Sequence, residues 1–426
     1  DHTYKISGTT KLTLDSNGNV GIGLAPEADW LSTRTALQVG GSGVIFGATS
    51  AGANGNMSIG QNVYQHSGGS YRAIDEDEAS LYAQADGVHT FKVTASVANN
   101  ATISFTDVAK FDINSRISLS NNDSGDYNTI LGYKAGNAIG SDSDEGVFIG
   151  HNTGLLLSSG DGNTVIGYDA FKSADGAEGS NVVIGKAAGQ SINHDSSHQN
   201  VIIGSGAMAG GTAQQNNNVA VGYFALGSIA NNAHTGTVAV GSNALGALTS
   251  SPGCTAVGYR AGLNATTTDY STALGYNTLG GNSSTTLTGN DNTALGANAG
   301  RDIEGAAEGN VLVGKDAGMA ITTGSLNVLI GRDAGTALLD ETHNTAIGTD
   351  ALGGSSLVDQ TVIIGSQAGS GAMEATADGT VAVGYAALQT VTSGTQNTAV
   401  GYASMKETTQ GGYNTTLGYN TMYRDA

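Results

Sequence analysis

From residue 128 onward one short phrase, x-[TV]-x-[VIL]-G-x-x-[AST]-x, recurs 17 times. Its glycines are Gly132, Gly150, Gly167, Gly185, Gly204, Gly222, Gly241, Gly258, Gly275, Gly296, Gly314, Gly331, Gly348, Gly365, Gly384, Gly401 and Gly418. The first and last stand 286 residues apart over 16 intervals, a mean period of about 18. Most spacings are 17 to 19, and one, between Gly275 and Gly296, is 21. A fixed period whose slips fall in the connecting segments is the mark of a solenoid, in which each repeat buries its apolar side only against its neighbours. At ~4.8 Å per stacked strand, 17 turns predict a length of roughly 80 Å.

The columns of the phrase specify a strand and a corner. The residue before the glycine is always aliphatic (Val257, Ile347, Val400), and two residues earlier a β-branched residue always stands (Thr129, Val147, Thr398). Strand periodicity puts these two positions on one face. The position between them is Ala in eight copies and a larger side chain in most others (Phe148, Ile202, Leu329). Both faces of the short strand are therefore apolar, which is the pattern of a strand buried on both sides. The expectation is that the β-branched and aliphatic columns line the coil. The alanine-rich column then faces outward, where close backbone approach lets another copy of the chain cover it. The glycine makes the corner, being free to adopt positive φ. The third residue after it is Ala in 13 copies and Ser or Thr in the other four. The fourth is Gly or a large apolar residue, as in Gly262, Phe171 and Met405.

Asparagine opens the phrase in 11 copies, Asn397 among them. Stacked turns put these amides above one another, as a structural ladder that satisfies its own hydrogen bonds or as a row that binds glycan or ions. Tyrosine follows the glycine in eight copies, such as Tyr133, Tyr385 and Tyr402. That row can cover the corners between turns or stack on sugars.

Composition narrows the function classes. The chain of 426 residues has 66 glycines and 2 prolines, so with no G-X-Y period it is not collagen-like. Its net charge is −20, a field that repels nucleic acid and anionic lipid. A nucleic-acid partner is not expected. No stretch approaches the ~18 apolar residues of a membrane span, so no membrane insertion is expected either. Cys254 is the sole cysteine, which excludes an intrachain disulfide. The chain begins with Asp1, and the expectation is that it is a piece of a longer protein.

Residues 1–127 lack the phrase and form the first of two expected regions, with 128–426 the second. GTTKLTLDSNGNVGIG at 8–23 reads as strand, Asp-Ser-Asn-Gly turn, strand. Residues 89–120 read as strands with polar turns, and 26–39 could hold one short helical turn. The acidic run DEDEAS at 75–80 lacks spaced calcium-loop positions and reads as a solvated loop.

KLTLDSNGNVGIG resembles strand-turn-strand segments of bacteriophage tail fibres, and SLYAQADGVHTFKVTASVANNATISFTDVAKFDI is similar to a segment that accompanies them. The NTAVGYASM phrases resemble the head repeats of YadA-type trimeric adhesins and related repeats in phage fibres. The resemblance covers almost the whole chain. It implies an all-β protein: a β-rich N-terminal fibre region, then a β-roll of about 17 turns, left-handed in the adhesin family, assembled as a homotrimeric rod. It implies host attachment from the outside of a virion, with other tail or fibre proteins at the chain ends and a host glycan or protein as receptor. The period is longer than that of the usual adhesin repeat, and no coiled-coil stalk or anchor barrel follows, which favours the phage fibre over a bacterial surface adhesin. A removed chaperone or a separate tip protein is expected to cap the last turn, which would otherwise expose an edge.

Chemical signals are few, and no catalytic, cofactor or metal residue is assigned. One hexad in three of the hexapeptide acyltransferase pattern is present, too little for that family. A polysaccharide-degrading spike needs two carboxylates about 5–10 Å apart across a groove; Asp142, Asp144 and Glu145, or Asp302 and Glu304, are the candidates. His194 and His198 stand four apart in a loop-like segment. Cys254 occupies the asparagine column and reads as an inert small side chain.

Overall fold

The computed structural model describes residues 2–48, 57–85, 88–111, 117–118, 127–229, 232–250, 252–280, 285–355 and 357–423. The chain is all-β, and the one helical element among these residues is a 3₁₀ turn at Ala375–Ala377. It divides into two compact units, Asp1–Asn122 and Asp123–Ala426.

The first unit is a ten-stranded sheet, antiparallel throughout except where Val20–Ile22 runs parallel to Arg34–Val39. The expected strand-turn-strand at 8–23 is Thr9–Leu14 paired with Val20–Ile22. Asp15 closes its turn by accepting from the backbone N–H groups of Asn17 and Asn19 (2.9 and 2.7 Å). Residues 26–39 hold no helix: alternation of buried Ala36 and Gln38 with exposed neighbours makes Arg34–Val39 a half-buried strand. The acidic run bends through Asp75 and Glu76 and enters strand Asp77–Ala85, exposed except for Ala79. One sheet face packs on a core of Trp30, Phe46, Val63, Tyr64 and Leu81, with Trp30 5.1 Å from Phe46 and 5.8 Å from Tyr64. The alternate side chains, Ile45, Ile59, Phe91, Val93 and Val108 among them, stay exposed.

The second unit is a solenoid. Its 17 three-residue strands, Thr129–Leu131 to Thr415–Leu417, form one parallel sheet in which every strand pairs with the strand of the next copy. Pairing is in register column by column, as in Thr398↔Thr415, Ala399↔Thr416 and Val400↔Leu417. The glycine ends each strand for two reasons. Its φ lies between +128° and +138° at all 17 positions, a region closed to residues with a Cβ. Successive turns also approach closely there: a Cβ on Gly331 would lie 2.4 Å from the Gly348 carbonyl oxygen.

Three further columns take left-handed backbone in all 17 copies: the second and fourth residues after the glycine, and the residue before the asparagine column. In the turn from Gly384 these are Ala386 (φ 51°), Leu388 (53°) and Gln396 (57°). Each non-glycine residue so placed costs about 1–2 kcal/mol. The turn-to-turn ladder holds them: Ala386 N–H donates to Ser366 O and Leu388 N–H to Ser404 O, each at 3.0 Å.

The strand faces are reversed from the sequence expectation. The middle residue of the strand, Ala-rich and including Phe148, Ile202 and Leu329, is buried in all 17 copies. The β-branched and aliphatic columns, Val257, Ile347 and Val400 included, point outward and are half-buried. The physical reason is volume. The interior also holds the small third residue and the large fourth residue after the glycine, so the strand contributes little. Where the strand residue is large the fourth residue is mostly Gly: Phe148 with Gly154, Leu329 with Gly335, Ile363 with Gly369, though Val165 goes with Phe171 and Ile202 with Met208. Where the strand residue is Ala the fourth is mostly Leu or Met: Ala220 with Leu226, Ala346 with Leu352, Ala399 with Met405. Gly262 beside Ala256 and Gly300 beside Ala294 are the exceptions: Leu245 of the preceding turn fills the first space, and Leu279 and Leu312 of the flanking turns fill the second.

Gly331→Ala is expected to destabilise the solenoid by about 3 kcal/mol, because a strained φ and a backbone clash coincide. Tyr413→Gly, at an exposed position with φ 62°, is expected to leave stability unchanged or raise it by about 1 kcal/mol. Urea unfolding midpoints of the two variants separate the contributions.

Candidate interaction surfaces

One extended surface of the fold is the outer face of the parallel sheet. Across 17 strands it presents Thr or Val beside Val, Ile or Leu. Leu131, Leu274, Leu295 and Leu417 are exposed, and the other side chains of the two columns are mostly half-buried by their neighbours. No helix among the described residues is long and apolar enough to cross a membrane.

A second row lies at the corner just past the glycine. Tyr133, His151 and Tyr168 stack in successive turns with centroids 5.3 and 5.0 Å apart. Tyr385, Tyr402 and Tyr419 stack at 5.2 Å twice, and Tyr259 on Tyr276 at 5.5 Å. These spacings follow the turn repeat, and the tyrosine rings stay exposed. Between the aromatic runs the same column carries Lys315 and Arg332. Lys315 pairs with Asp316, while Arg332 reaches Asp333 (3.3 Å) and Asp350 (3.8 Å).

The asparagine column is an internal ladder. Asn163 Oδ1 accepts from the backbone N–H of Asn181 (3.0 Å) and from its Nδ2 (3.2 Å), and Asn200 and Asn218 repeat the pattern. A second run joins Asn292, Asn310, Asn327 and Asn344, and Asn397 holds Asn414 in a third. Each Nδ2 of Asn163, Asn181, Asn310 and Asn397 also donates to a carbonyl of the next turn, for example Asn310 to Gly324 O (2.9 Å). Asn397 and the members of the two longer runs are buried, and their amides are spent on neighbours rather than offered to glycan. Cys254 takes the same place with a thiol that donates to Thr268 O (3.0 Å).

The acidic and imidazole candidates sort differently. Asp302 is held by Arg301 through two contacts of 2.8 and 2.6 Å, so it is not a free partner for Glu304. His194 and His198 each turn Nδ1 onto a backbone N–H, of Ser196 and Gly179 respectively. Asp142, Asp144 and Glu145 do not bring three ligand atoms within 4.8 Å of one another. The one convergence of at least three possible metal ligands among the described residues is Asp175, Glu178 and Asp195, with ligand atoms within 4.8 Å of one another. Reading within single connectors misses it, because Asp195 arrives from the next turn. The available signal was carboxylates about one period apart.

Glu178 lies three residues before the asparagine column, in a buried position that Ser197, Gln215, His234 and Glu341 fill in other turns. Burial pushes the Glu178 carboxyl above the usual range, and the like charge of Asp175 adds to this. Glu341 is raised in the same way, by burial first and then by Asp340. Each accepts one backbone N–H on Oε2, from Gly176 and Leu339, and each has a buried Oε1 without a protein partner.

No protein-family model matches the chain, and no curated protein or solved structure matches it either.

Asn310→Ala is expected to cost about 2–4 kcal/mol, since it strips an acceptor from two buried donors of Asn327; a thermal melt reads the loss. Glu341 makes a pH prediction. A carboxyl raised in the folded state is most favourable when protonated, so stability falls as pH rises through the folded pKa. Glu341→Gln is therefore expected to melt above the unmodified protein at pH 7, and the difference is expected to vanish near pH 4. A constant difference across that range would contradict the assignment.

Proposed function

We propose that the chain is the shaft and attachment region of a homotrimeric surface fibre, in the role of a phage tail fibre. The outer sheet face carries this reading. A 17-strand parallel sheet with two apolar columns is a long contiguous patch of a kind that soluble monomers rarely leave bare, and it fits burial against identical copies. The first unit supports the same arrangement independently, because its sheet also leaves one apolar side uncovered at Ile45, Ile59, Phe91 and Val93. The role is mechanical and adhesive rather than catalytic. The exposed tyrosine rows offer flat rings at the turn spacing, suited to stacking on a host surface glycan. Fibre or tail proteins hold the two ends, and the assembled object works outside the cell, on the virion.

Light scattering on a sizing column tests the assembly. The expected result is three chain masses with early elution. Ile347→Lys combined with Val328→Lys, both on the outer face, is expected to give a monomer with unchanged β circular dichroism. A monomeric unmodified protein would overturn the trimer. A trimer indifferent to both lysines would move the interface elsewhere.

A further inference from the structure

We propose that Asp175, Glu178 and Asp195 form a calcium site that clamps two successive connectors of the solenoid. The inference stands apart from the trimer reading, since all three residues belong to one chain.

Four observations converge. The carboxylates come from adjacent turns, with one oxygen of each within 4.8 Å of the others. None of the three forms an ion pair with a basic side chain among the described residues. Three carboxylates at that range are costly to ionise together unless a cation lies among them, and without one the buried Glu178 takes up a proton more readily. Glu178 is fully buried in this cluster, with Oε2 on the Gly176 N–H (3.0 Å) and Oε1 without a protein partner. A buried carboxylate oxygen left so is the kind of atom a bound ion satisfies. The backbone makes room for the third ligand: a Cβ at Gly176 would stand 1.9 Å from Asp195 Oδ1, so glycine there lets Asp195 close over the connector.

The donors select the ion. Three carboxylates are hard oxygen ligands, which suit Ca²⁺ or Mg²⁺ rather than a softer metal. Ca²⁺ takes six to eight oxygens at about 2.3–2.6 Å in flexible geometry, and Mg²⁺ six at about 2.0–2.1 Å. Ca²⁺ tolerates an irregular set of carboxylates drawn from two turns, whereas Mg²⁺ demands near-ideal octahedral geometry. Glu341 is the internal control, because it has the same buried column, the same bonded Oε2 and the same lone Oε1 without two further carboxylates.

The test uses the full chain, freed of divalent ions with chelator and titrated with CaCl₂ by calorimetry, with Tb³⁺ luminescence as a second readout. One ion per chain is expected, with Kd between about 10⁻⁶ and 10⁻³ M and a rise in melting temperature on saturation. Asp175→Asn with Asp195→Asn, both exposed, is expected to leave the fold intact and weaken binding by at least about tenfold. Glu341→Gln is expected to bind as the unmodified protein does. No heat and no terbium signal up to about 10 mM with folded protein would overturn the site, given the range of natural calcium affinities. So would binding unchanged in the double variant, or Mg²⁺ competing at equal concentration. Stoichiometry is counted per chain, so the result does not depend on whether the protein is a trimer.

Discussion

Everything in the solenoid depends on how closely one turn can lie on the next at the glycine corner. At that point the carbonyl of the following turn occupies the space where a Cβ would be, and φ is held near +135°. No other residue relieves both constraints, and at Gly418, which has no following copy of the phrase, the positive φ alone requires glycine. With the corner fixed, the strand before it is three residues long and its hydrogen bonds run to the neighbouring turns. The stack is therefore in register along its whole length, and slips of one to four residues fall into the connectors.

The interior then has to be filled by a chain whose turns differ in sequence. It is filled mostly by exchange of volume between two columns, Phe148 against Gly154 or Ala220 against Leu226, and where both residues of a turn are small, as at Ala256 and Gly262, a leucine of a neighbouring turn fills the space. The asparagine ladder does the same for polarity. Its amides bind a backbone N–H and a carbonyl of the following turn and the amide oxygen of the preceding one, and turn a row of buried polar side chains into axial bonds. Where the ladder is interrupted at Cys254, the thiol still reaches the carbonyl of the next turn.

Most of this was legible in the sequence, and the part that was not has a physical cause. The period, the corner glycine, the short strand and the amide ladder follow from column identity alone, because each is a local requirement repeated many times. The direction of the strand faces was not legible. Ala at the middle position and Val, Ile or Thr beside it are compatible with either orientation. What decides is the volume that Ala225 and Leu226, or Ala387 and Leu388, bring into the interior from beyond the corner. The left-handed columns were also hidden, since residues as unlike as Phe224, Asp333 and Ala386 share them. The cluster of Asp175, Glu178 and Asp195 escaped for a third reason: its members are neighbours through the stack, not along the chain.

The reversal of the faces changes what the outer surface means. An alanine-rich exterior would have argued for backbones in close contact. The observed exterior is a sheet of β-branched and aliphatic side chains, which packs side chain to side chain at about 10 Å, as sheets do in sandwiches. A partner with the same period can match such a face over its full length, turn for turn, and a globular partner cannot. The regularity that the glycine corner imposes within one chain is thus what the proposed trimer would use to cover that face.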